Sequence, residues 1–263
     1  MCIQQPLQDE ESFVLSNEQL GKNLFLIRLE SPIIAASVQP GQFVHTKIPG
    51  MEGHILRRPF SIYNADVDAG IIEILYQNVG FGSNRFTELT AGETVMNIGP
   101  IGHGWSIPDG CKRALLVCGG VGAAPLFMHA KALVHAGVEV DVVLGAQTAD
   151  AMVAHTRYAE VLGHDPVIAT DDGSMGFSGF CTVPAKDLID SNSYDYLACC
   201  GPQVLMKIVY GMAAEAGIPC QVSMERRMAC GVGACLSCVI DTTSGKQRCC
   251  VDGPVFEGNK VIW

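Results

Sequence analysis

Charged residues, aromatic residues and long apolar runs are all scarce in this chain of 263 residues. Charged residues make up 17% of the sequence and aromatic residues 7%, while hydrophobic residues make up 48%. Disordered chains have the opposite balance, so this chain has the material for buried cores. Lys and Arg number 17 against 27 Asp and Glu, for a net charge of −10. With no cluster of basic residues, the chain is a poor candidate for binding nucleic acid or an anionic membrane.

No stretch of the sequence reads as a membrane span or a secretory signal. The longest uncharged apolar run, residues 114–128, is interrupted by glycines and a proline, whereas a spanning helix needs about 20 apolar residues. The first residues lack the basic and apolar regions of a signal peptide. We therefore expect a cytoplasmic protein, in which thiols stay reduced. Where its twelve cysteines cluster, metal binding is expected rather than disulfides.

Apolar runs and turn signals divide the chain into three parts. Residues 1–108 contain short β-branched runs, such as 23–29 and 70–76, between Gly, Pro and Asn turn signals, which predicts an antiparallel β-barrel. Residues 109–222 alternate strands with helices, which predicts a parallel sheet with right-handed crossovers. Residues 223–263 are too few for a full core, so a metal is expected to stabilise them. The predicted fold class is multidomain, β plus α/β, with a small C-terminal subdomain.

The middle part has the clearest element pattern. Apolar runs predict four strands, and the segments that separate them predict three helices. The strands are expected at 114–118, 138–144, 167–170 and 196–200, and the helices at about 124–136, 151–162 and 202–216.

Five cysteines are concentrated near the C-terminus. The C-x4-C-x2-C spacing of Cys230, Cys235 and Cys238, followed by a later cysteine, is that of plant-type [2Fe–2S] ferredoxins. Two glycines in the first gap let the chain wrap closely around a cluster. A structural zinc site is the alternative, although zinc motifs usually present two C-x2-C pairs and only one is found here. The spacing leaves both Cys249 and Cys250 open as the fourth ligand.

Two strand-to-helix turns are candidate nucleotide-binding segments. Glycines allow a ligand to approach the backbone, and a helix N-terminus offers free N–H groups to a pyrophosphate. The first turn is not the G-x-G-x-x-G fingerprint, because a proline stands in place of the third glycine. A tight turn without a ligand is the alternative. The candidate residues are Gly119, Gly120, Gly122, Gly201 and Pro202.

The strand that follows indicates which dinucleotide is bound. Residues 143–148, at the end of the second strand, contain no Lys or Arg, whereas a 2′-phosphate usually needs a nearby Arg. The sequence therefore favours NAD over NADP. Arg157 is the exception to be checked.

An Arg-Pro-Phe-Ser segment in the barrel region is a candidate flavin site. A guanidinium can bind phosphate through two hydrogen bonds, and a hydroxyl with backbone N–H groups can bind the edge of a flavin. Alone, a charged turn leading into a strand would explain the segment. The flavin interpretation is strengthened by an aromatic strand at 75–77 and by a glycine turn with a hydroxyl at 80–83.

These segments, in this order, resemble the ferredoxin–NAD(P) reductase superfamily, in which a flavin-binding barrel precedes a nucleotide domain. The segments 224–235 and 250–256 are similar to those of the electron transfer subunits of type B dihydroorotate dehydrogenases. The resemblance covers essentially the whole chain. It implies that FAD is held by Arg58, Pro59, Phe60, Ser61, Leu75, Tyr76, Gln77, Gly82 and Ser83. It also implies that Cys250, which precedes x-Asp-Gly-Pro-Val-Phe, joins Cys230, Cys235 and Cys238 as the fourth cluster ligand.

The resemblance also implies a function and a partner. The partner would be an FMN-containing catalytic subunit that oxidises dihydroorotate, in a heterotetramer with two copies of each chain. Its electrons would pass through the [2Fe–2S] cluster and FAD to NAD⁺, which makes this chain an oxidoreductase subunit of an orotate-forming, NAD-dependent complex of pyrimidine biosynthesis. No catalytic acid, base or nucleophile is then expected, because the cofactors carry the chemistry.

Two alternative functions remain at this point. One is the flavin and iron–sulfur subunit of another ferredoxin:NAD(P) oxidoreductase. The other is not an enzyme but a zinc-stapled nucleotide-binding module. Two features have no assigned role: His103, where relatives usually have Asn, and the turn at 171–174, whose Asp and Gly residues are typical of a simple loop.

Overall fold

The computed structural model describes residues 7–51 and 53–263. This part of the chain contains sixteen strands and six α-helices. The strands are β1 (Gln8–Gly21), β2 (Leu24–Glu30), β3 (Phe43–Lys47), β4 (Arg58–Ser61), β5 (Asn64–Asp66), β6 (Ile71–Gln77), β7 (Thr94–Ile101), β8 (Arg113–Gly119), β9 (Glu139–Ala146), β10 (Val167–Thr170), β11 (Phe177–Ser178), β12 (Tyr196–Cys200), β13 (Cys220–Ser223), β14 (Val239–Thr242), β15 (Gly245–Arg248) and β16 (Val255–Glu257). The helices are α1 (Pro32–Ala35), α2 (Phe81–Thr87), α3 (Ala123–His135), α4 (His155–Leu162), α5 (Thr182–Ser191) and α6 (Gln203–Glu215).

The first seven strands form one antiparallel sheet. Its order is β4-β3-β7-β1-β2-β6-β5, and burial alternates along the first half of β1 and the second half of β2, as a sheet with one buried face requires. Ile27 of β2, Ile72 and Ile74 of β6 and Phe86 of α2 are completely buried in its core. The antiparallel β architecture that the sequence predicts for this part of the chain is confirmed by this sheet.

Strand β1 has a polar sequence, and the carboxylate that it buries is fully hydrogen-bonded. The buried carboxylate of Glu10 accepts hydrogen bonds from Ser31 Oγ at 2.7 Å and from the backbone N–H groups of Ile33 and Ile34 at 2.9 Å. It thereby caps the first turn of α1, where free N–H groups need a partner. This long-range contact fixes a strand whose residues alone gave no strand signal.

The second sheet is parallel except at one edge. Its order is β11-β10-β9-β8-β12-β13-β16, and β16 alone runs antiparallel to its neighbour β13. Successive residues of β8 pack on opposite faces. Leu115 and Val117 share a core with α5 and α6, while Leu116 and Cys118 share a core with α3 and α4. The sheet is therefore covered by helices on both faces, as its continuous apolar strands require.

The predicted elements of this sheet agree closely with the structure. Strands β10 and β12 have the predicted bounds, and β8, β9, α3 and α6 differ from prediction by one or two residues. The helix expected at 151–162 is shorter: a 3-10 turn covers Ala149–Ala151 and α4 starts at His155. Helix α5 was not predicted. It fills the crossover between β10 and β12.

The C-terminal segment packs on both sheets. Cys238, Ile240 and Cys249 lie in the same buried cluster as Phe43 of the barrel and Val222 of β13. The division at 1–108, 109–222 and 223–263 stays a prediction, and the pairing of β16 with β13 means that the last part shares a sheet with the second. Among the helices of the described residues, none has the length and apolarity that crossing a membrane would require.

Candidate functional site

A large cleft lies at the carboxyl ends of the parallel strands. Its volume is about 740 Å³, and it is lined by the ends of β8, β9, β12 and β13. This is where open α/β sheets bind ligands. All five residues predicted to bind a nucleotide line it, namely Gly119, Gly120, Gly122, Gly201 and Pro202. The two turns that the sequence singled out therefore meet at one cavity.

The glycines of the two turns are required by close backbone contact. A Cβ on Gly201, whose φ is 152°, would lie 3.0 Å from Cα of Gly119. A Cβ on Gly122 would overlap the carbonyl group of Cys200. Gly120 has a φ of 55°, and no atom lies within 4 Å of the position of its Cβ. The site thus offers exposed backbone that a pyrophosphate can approach.

Sequence reasoning missed several residues of this cleft. Asp171 and Phe180 line it from the turns after β10 and β11, and Glu225 and Arg226 line it just after β13. The signal that could have found this pair is their position directly after a parallel strand. The segment 224–235 was recognised only as part of the cysteine motif.

The guanidinium of Arg157 binds residues outside the cleft. Its guanidinium donates to Glu73 of β6, with Nη2 and Oε2 2.7 Å apart, and stacks over the ring of Tyr63 at 4.8 Å. It is not among the residues that line the cleft. Arg157, the exception that the sequence left to be checked, is thus held between the two sheets, and Arg226 is the arginine that lines the cleft.

The predicted flavin segments meet at the outer strands of the barrel. A Cβ on Gly82 would lie 2.5 Å from Nε of Arg58, so the guanidinium lies directly on the glycine turn. Phe60 stacks on Phe86, with ring centroids 4.7 Å apart. Gln77, at the end of β6, lines the nucleotide cleft. Arg58, Pro59, Phe60 and Ser61 all lie on β4, so the residues present fit a phosphate-bearing flavin next to the cleft.

Three of the residues predicted to contact the flavin have side chains that are buried or hydrogen-bonded within the protein. Leu75 is buried, and so is Tyr76, whose hydroxyl donates to Asn17 Oδ1 at 2.9 Å. Ser83 Oγ accepts hydrogen bonds from the backbone N–H groups of Val79 at 2.8 Å and Gly80 at 3.0 Å. These side chains stabilise the strand and the turn that would surround the ligand.

The cysteine loop brings one pair of thiols into contact and surrounds a third thiol with backbone N–H groups. Sγ of Cys230 accepts hydrogen bonds from the backbone N–H groups of Val232 and Cys235, both at 3.4 Å. Sγ of Cys238 lies 3.3 Å from Sγ of Cys250. Four cysteine thiolates are the donor set that a [2Fe–2S] cluster takes from a protein. Among the described residues, no three His, Cys, Asp or Glu side chains are grouped closely enough to hold a metal ion, so the loop would have to draw its thiols together around the cluster.

The loop also prepares one thiol for metal binding. Hydrogen bonds from Ser237, and then from Cys230, lower the pKa of the exposed Cys235 thiol to about 6. The thiolate is the form that binds metal. Gly231 and Gly233 have φ values of 71° and 83°, which supports the expectation that the chain wraps closely there.

The adjacent cysteines differ in surroundings. Cys249 is completely buried in the core, and its backbone N–H donates to the carbonyl of Cys238 at 3.0 Å. Burial raises the pKa of both the Cys249 and the Cys250 thiol to about 12, so their pKa values do not separate them. The Cys250 thiol instead faces Cys238. This geometry favours Cys250 as the fourth donor, as the resemblance implied.

His103 and the 171–174 turn, to which the sequence assigned no role, both form hydrogen bonds within the protein. The backbone N–H of His103 donates to Gly253 O at 2.6 Å, while its side chain is exposed. His103 thus ties the end of the barrel to the C-terminal segment. In the 171–174 turn, Ser174 Oγ donates to Asp172 Oδ1 and accepts from the N–H of Ala149 at 2.8 Å.

Comparison with known proteins identifies the family. The model of the "oxidoreductase FAD-binding domain" matches residues 13–105, and that of the "iron-sulfur cluster binding domain of dihydroorotate dehydrogenase B" matches residues 225–262. The dihydroorotate dehydrogenase B (NAD(+)) electron transfer subunit of Desulforamulus reducens is 35% identical over 95% of this chain and 97% of its own length. This chain belongs to that family. The corresponding subunit of a Geobacillus species is 36% identical over 97% of this chain and 99% of its own length.

Solved structures confirm the fold class. A structure described as that of an NADH-dependent reduced ferredoxin-NADP oxidoreductase, studied for flavin-based electron bifurcation, matches with a TM-score of 0.87 at 29% identity. The match covers 96% of this chain and 90% of the other. An Amycolatopsis cytochrome P450 reductase matches with a TM-score of 0.67 at 25% identity, over 80% of this chain and 67% of its own. The FAD-binding domain and the iron–sulfur cluster binding domain expected from the sequence are therefore both present.

Proposed function

We propose that this chain carries electrons from a catalytic subunit that oxidises dihydroorotate to NAD⁺, as part of an orotate-forming complex of pyrimidine biosynthesis. The observation that carries the proposal is the central position of the barrel. Phe43 of β3 shares a core with Cys238 and Cys250, while Gln77 of β6 lines the nucleotide cleft. The barrel that carries the candidate flavin segments is thus in contact with both the cysteine segment and the nucleotide cleft.

The residues of this chain bind and orient the groups that react. FAD and the cluster, when bound, supply the one-electron and two-electron chemistry. Cys230, Cys235, Cys238 and Cys250 would ligate the irons. The guanidinium of Arg58 would bind the FAD phosphates. The glycine turns of β8 and β12 would place the nucleotide at the strand ends.

The partner would dock beside the cysteine loop. Val232 and Leu236, within that loop, are 45% and 62% exposed, and apolar side chains beside a redox centre suit a protein interface. We propose an FMN-containing catalytic subunit as the partner and two copies of each chain in the complex. The flavin barrel, nucleotide domain and cluster subdomain would correspond to residues 1–108, 109–222 and 223–263.

The direct test is an anaerobic absorption spectrum of the purified chain, with iron, acid-labile sulfide and released flavin quantified. We expect one FAD, two irons and two sulfides per chain, and bleaching when NADH is added. The catalytic subunit is then added with dihydroorotate and NAD⁺, and NADH formation is expected only when both chains are present. A colourless protein that contains zinc, even after cluster reconstitution, would contradict the proposal.

A second candidate has one observation in its favour. The structure that matches with a TM-score of 0.87 is described as a ferredoxin-NADP oxidoreductase. This chain would then exchange electrons with ferredoxin rather than with a dihydroorotate-oxidising subunit. Reduced ferredoxin is therefore supplied in a parallel reaction. NADH formation with ferredoxin, but not with dihydroorotate and the catalytic subunit, would favour this second function.

A further inference from the structure

A buried histidine without an aligned hydrogen bond lies beneath the cysteine loop. His45 of β3 is completely buried. Among the described residues, neither its Nδ1 nor its Nε2 has a hydrogen-bond partner of good geometry. Leaving a buried polar group unpaired costs free energy, and such a group calls for an explanation. The ring N–H of His45 is therefore available to donate a hydrogen bond.

The ring of His45 lies against the backbone of the loop. A Cβ on Gly231 would be 2.6 Å from Nδ1 of His45 and 3.1 Å from its Cγ. Gly231 follows the first predicted ligand, Cys230, and has a φ of 71°. Backbone hydrogen-bonding groups of Cys230 and Arg57 are the ones within reach of the ring. A small rearrangement of the loop would align one of them.

The same histidine is anchored to the predicted flavin segment. In the sheet, His45 pairs with Pro59 of β4. Its carbonyl oxygen accepts a hydrogen bond from Arg57 Nη1 at 3.4 Å, and this guanidinium also pairs with Asp9 at 3.0 Å. His45 therefore connects the strand beside the flavin segment to the cysteine loop.

We propose that His45 is a positioning residue for the cluster: in the loaded protein, its ring N–H donates a hydrogen bond to the backbone carbonyl of Cys230. An imidazole carries one N–H in its neutral form, which is enough for this bond. The bond would fix the peptide that carries the first ligand. Hydrogen bonds around the ligands orient them and set the reduction potential of a cluster. This inference rests on the proposed [2Fe–2S] site.

The test compares the wild-type chain with His45→Asn and His45→Leu, all isolated anaerobically. Asn retains an N–H close to the place of Nδ1, whereas Leu has a similar volume and no donor. We expect His45→Leu to alter the EPR spectrum of the reduced cluster, to shift its midpoint potential and to lose iron to a chelator about 10-fold faster. His45→Asn should stay close to the wild type in all three measurements. His45→Met, a second variant without a donor, should behave as His45→Leu does.

His129 provides a matched control. It is also a buried imidazole, and its Nε2 has no partner among the described residues. It packs between Trp105 and Tyr196 instead of against the loop. His129→Leu should leave all three cluster measurements unchanged.

Three results would overturn the inference, and they can be told apart. Wild-type spectra and potentials in His45→Leu would remove the role of the donor. Equal losses in His45→Asn and His45→Leu would reduce His45 to a packing residue. A wild-type chain without iron and sulfide would contradict the proposed cluster site itself, and this inference with it.

Discussion

Nη2 of Arg157 lies 2.7 Å from Oε2 of Glu73, and this ion pair joins α4 of the nucleotide sheet to β6 of the barrel. The guanidinium also lies 4.8 Å from the ring centroid of Tyr63 and 5.2 Å from that of Phe127. Glu73 is only 12% exposed at its side chain. A charged contact at this depth, with two aromatic rings, fixes how the flavin barrel sits on the nucleotide sheet.

Removing this contact should weaken the whole protein. We expect Arg157→Leu to lower the free energy of unfolding by about 2 kcal/mol, because a half-buried charged hydrogen bond and a cation–π contact are both lost. Urea unfolding followed by circular dichroism measures it. Lys186→Ala is the control, because Lys186 forms an exposed pair with Asp190 on α5 that should contribute about 0.5 kcal/mol or less. Equal effects of the two substitutions would contradict the interpretation.

The two adjacent cysteines should respond differently to serine substitution. Cys250→Ser removes a thiol that faces Cys238, so we expect most of the iron and acid-labile sulfide to be lost. Cys249→Ser places a hydroxyl in the core and should lower stability, by about 1–3 kcal/mol, while the iron content stays at the wild-type level. Iron and sulfide analysis of both variants decides the question. Loss of iron in Cys249→Ser alone would reverse the assignment.

A single methyl group should push apart the two turns of the nucleotide cleft. Gly122→Ala would bring its Cβ into the carbonyl of Cys200, so the two turns must separate. We expect the dissociation constant for NADH to rise about 10-fold, which is 1.4 kcal/mol of binding free energy. Gly211→Ala is the matched control, because no atom outside the local helix backbone of α6 lies within 4 Å of its Cβ position.

The control substitution should act in the opposite direction on stability. Alanine inside a helix is more favourable than glycine by up to about 1 kcal/mol. We therefore expect Gly211→Ala to bind NADH as the wild type does and to unfold at a slightly higher temperature. Calorimetric titration and thermal unfolding measure the two effects. Unchanged NADH binding in Gly122→Ala would show that the nucleotide does not need this turn.

His129 should make the protein sensitive to acid. Burial lowers the pKa of its ring from an ordinary 6.5 to about 3. The unfolded state therefore binds a proton between pH 6.5 and 3 that the folded state does not, and stability falls as the pH falls through this window. Each pH unit costs at most about 1.4 kcal/mol. His129→Leu should lose less stability between pH 7 and pH 5 than the wild type. Parallel loss in urea unfolding at the two pH values would contradict this.

Sequence reasoning succeeded where local signals decide structure. The continuous apolar runs of β8 and β12 predicted buried parallel strands, and the glycine turns after them predicted the cleft. The spacing of Cys230, Cys235 and Cys238 predicted an iron–sulfur cluster, and the matching family model is that of an iron–sulfur cluster binding domain over residues 225–262. In each case, neighbouring residues alone carry the information.

It failed where distant contacts decide structure. The polar strand β1 depends on Glu10 meeting Ser31 and the first turn of α1. Helix α5 has Pro184 in its first turn, where proline is tolerated in the structure although proline in a sequence is a helix-breaking signal. Glu225 and Arg226 reach the cleft only because β13 lies beside β12. None of these pairings can be read from adjacent residues.

The antiparallel pairing of β16 with β13 attaches the cysteine segment to the nucleotide sheet at both of its ends. Ser223 pairs with Val255 and Gln221 with Glu257, so residues 224–254 leave and re-enter the same sheet edge at neighbouring points. The segment is a closed loop clamped at its base, not an arm free to swing. Electrons would therefore travel over a fixed distance between the cluster and the flavin. A hinge motion of the cysteine segment would not limit the rate of electron transfer.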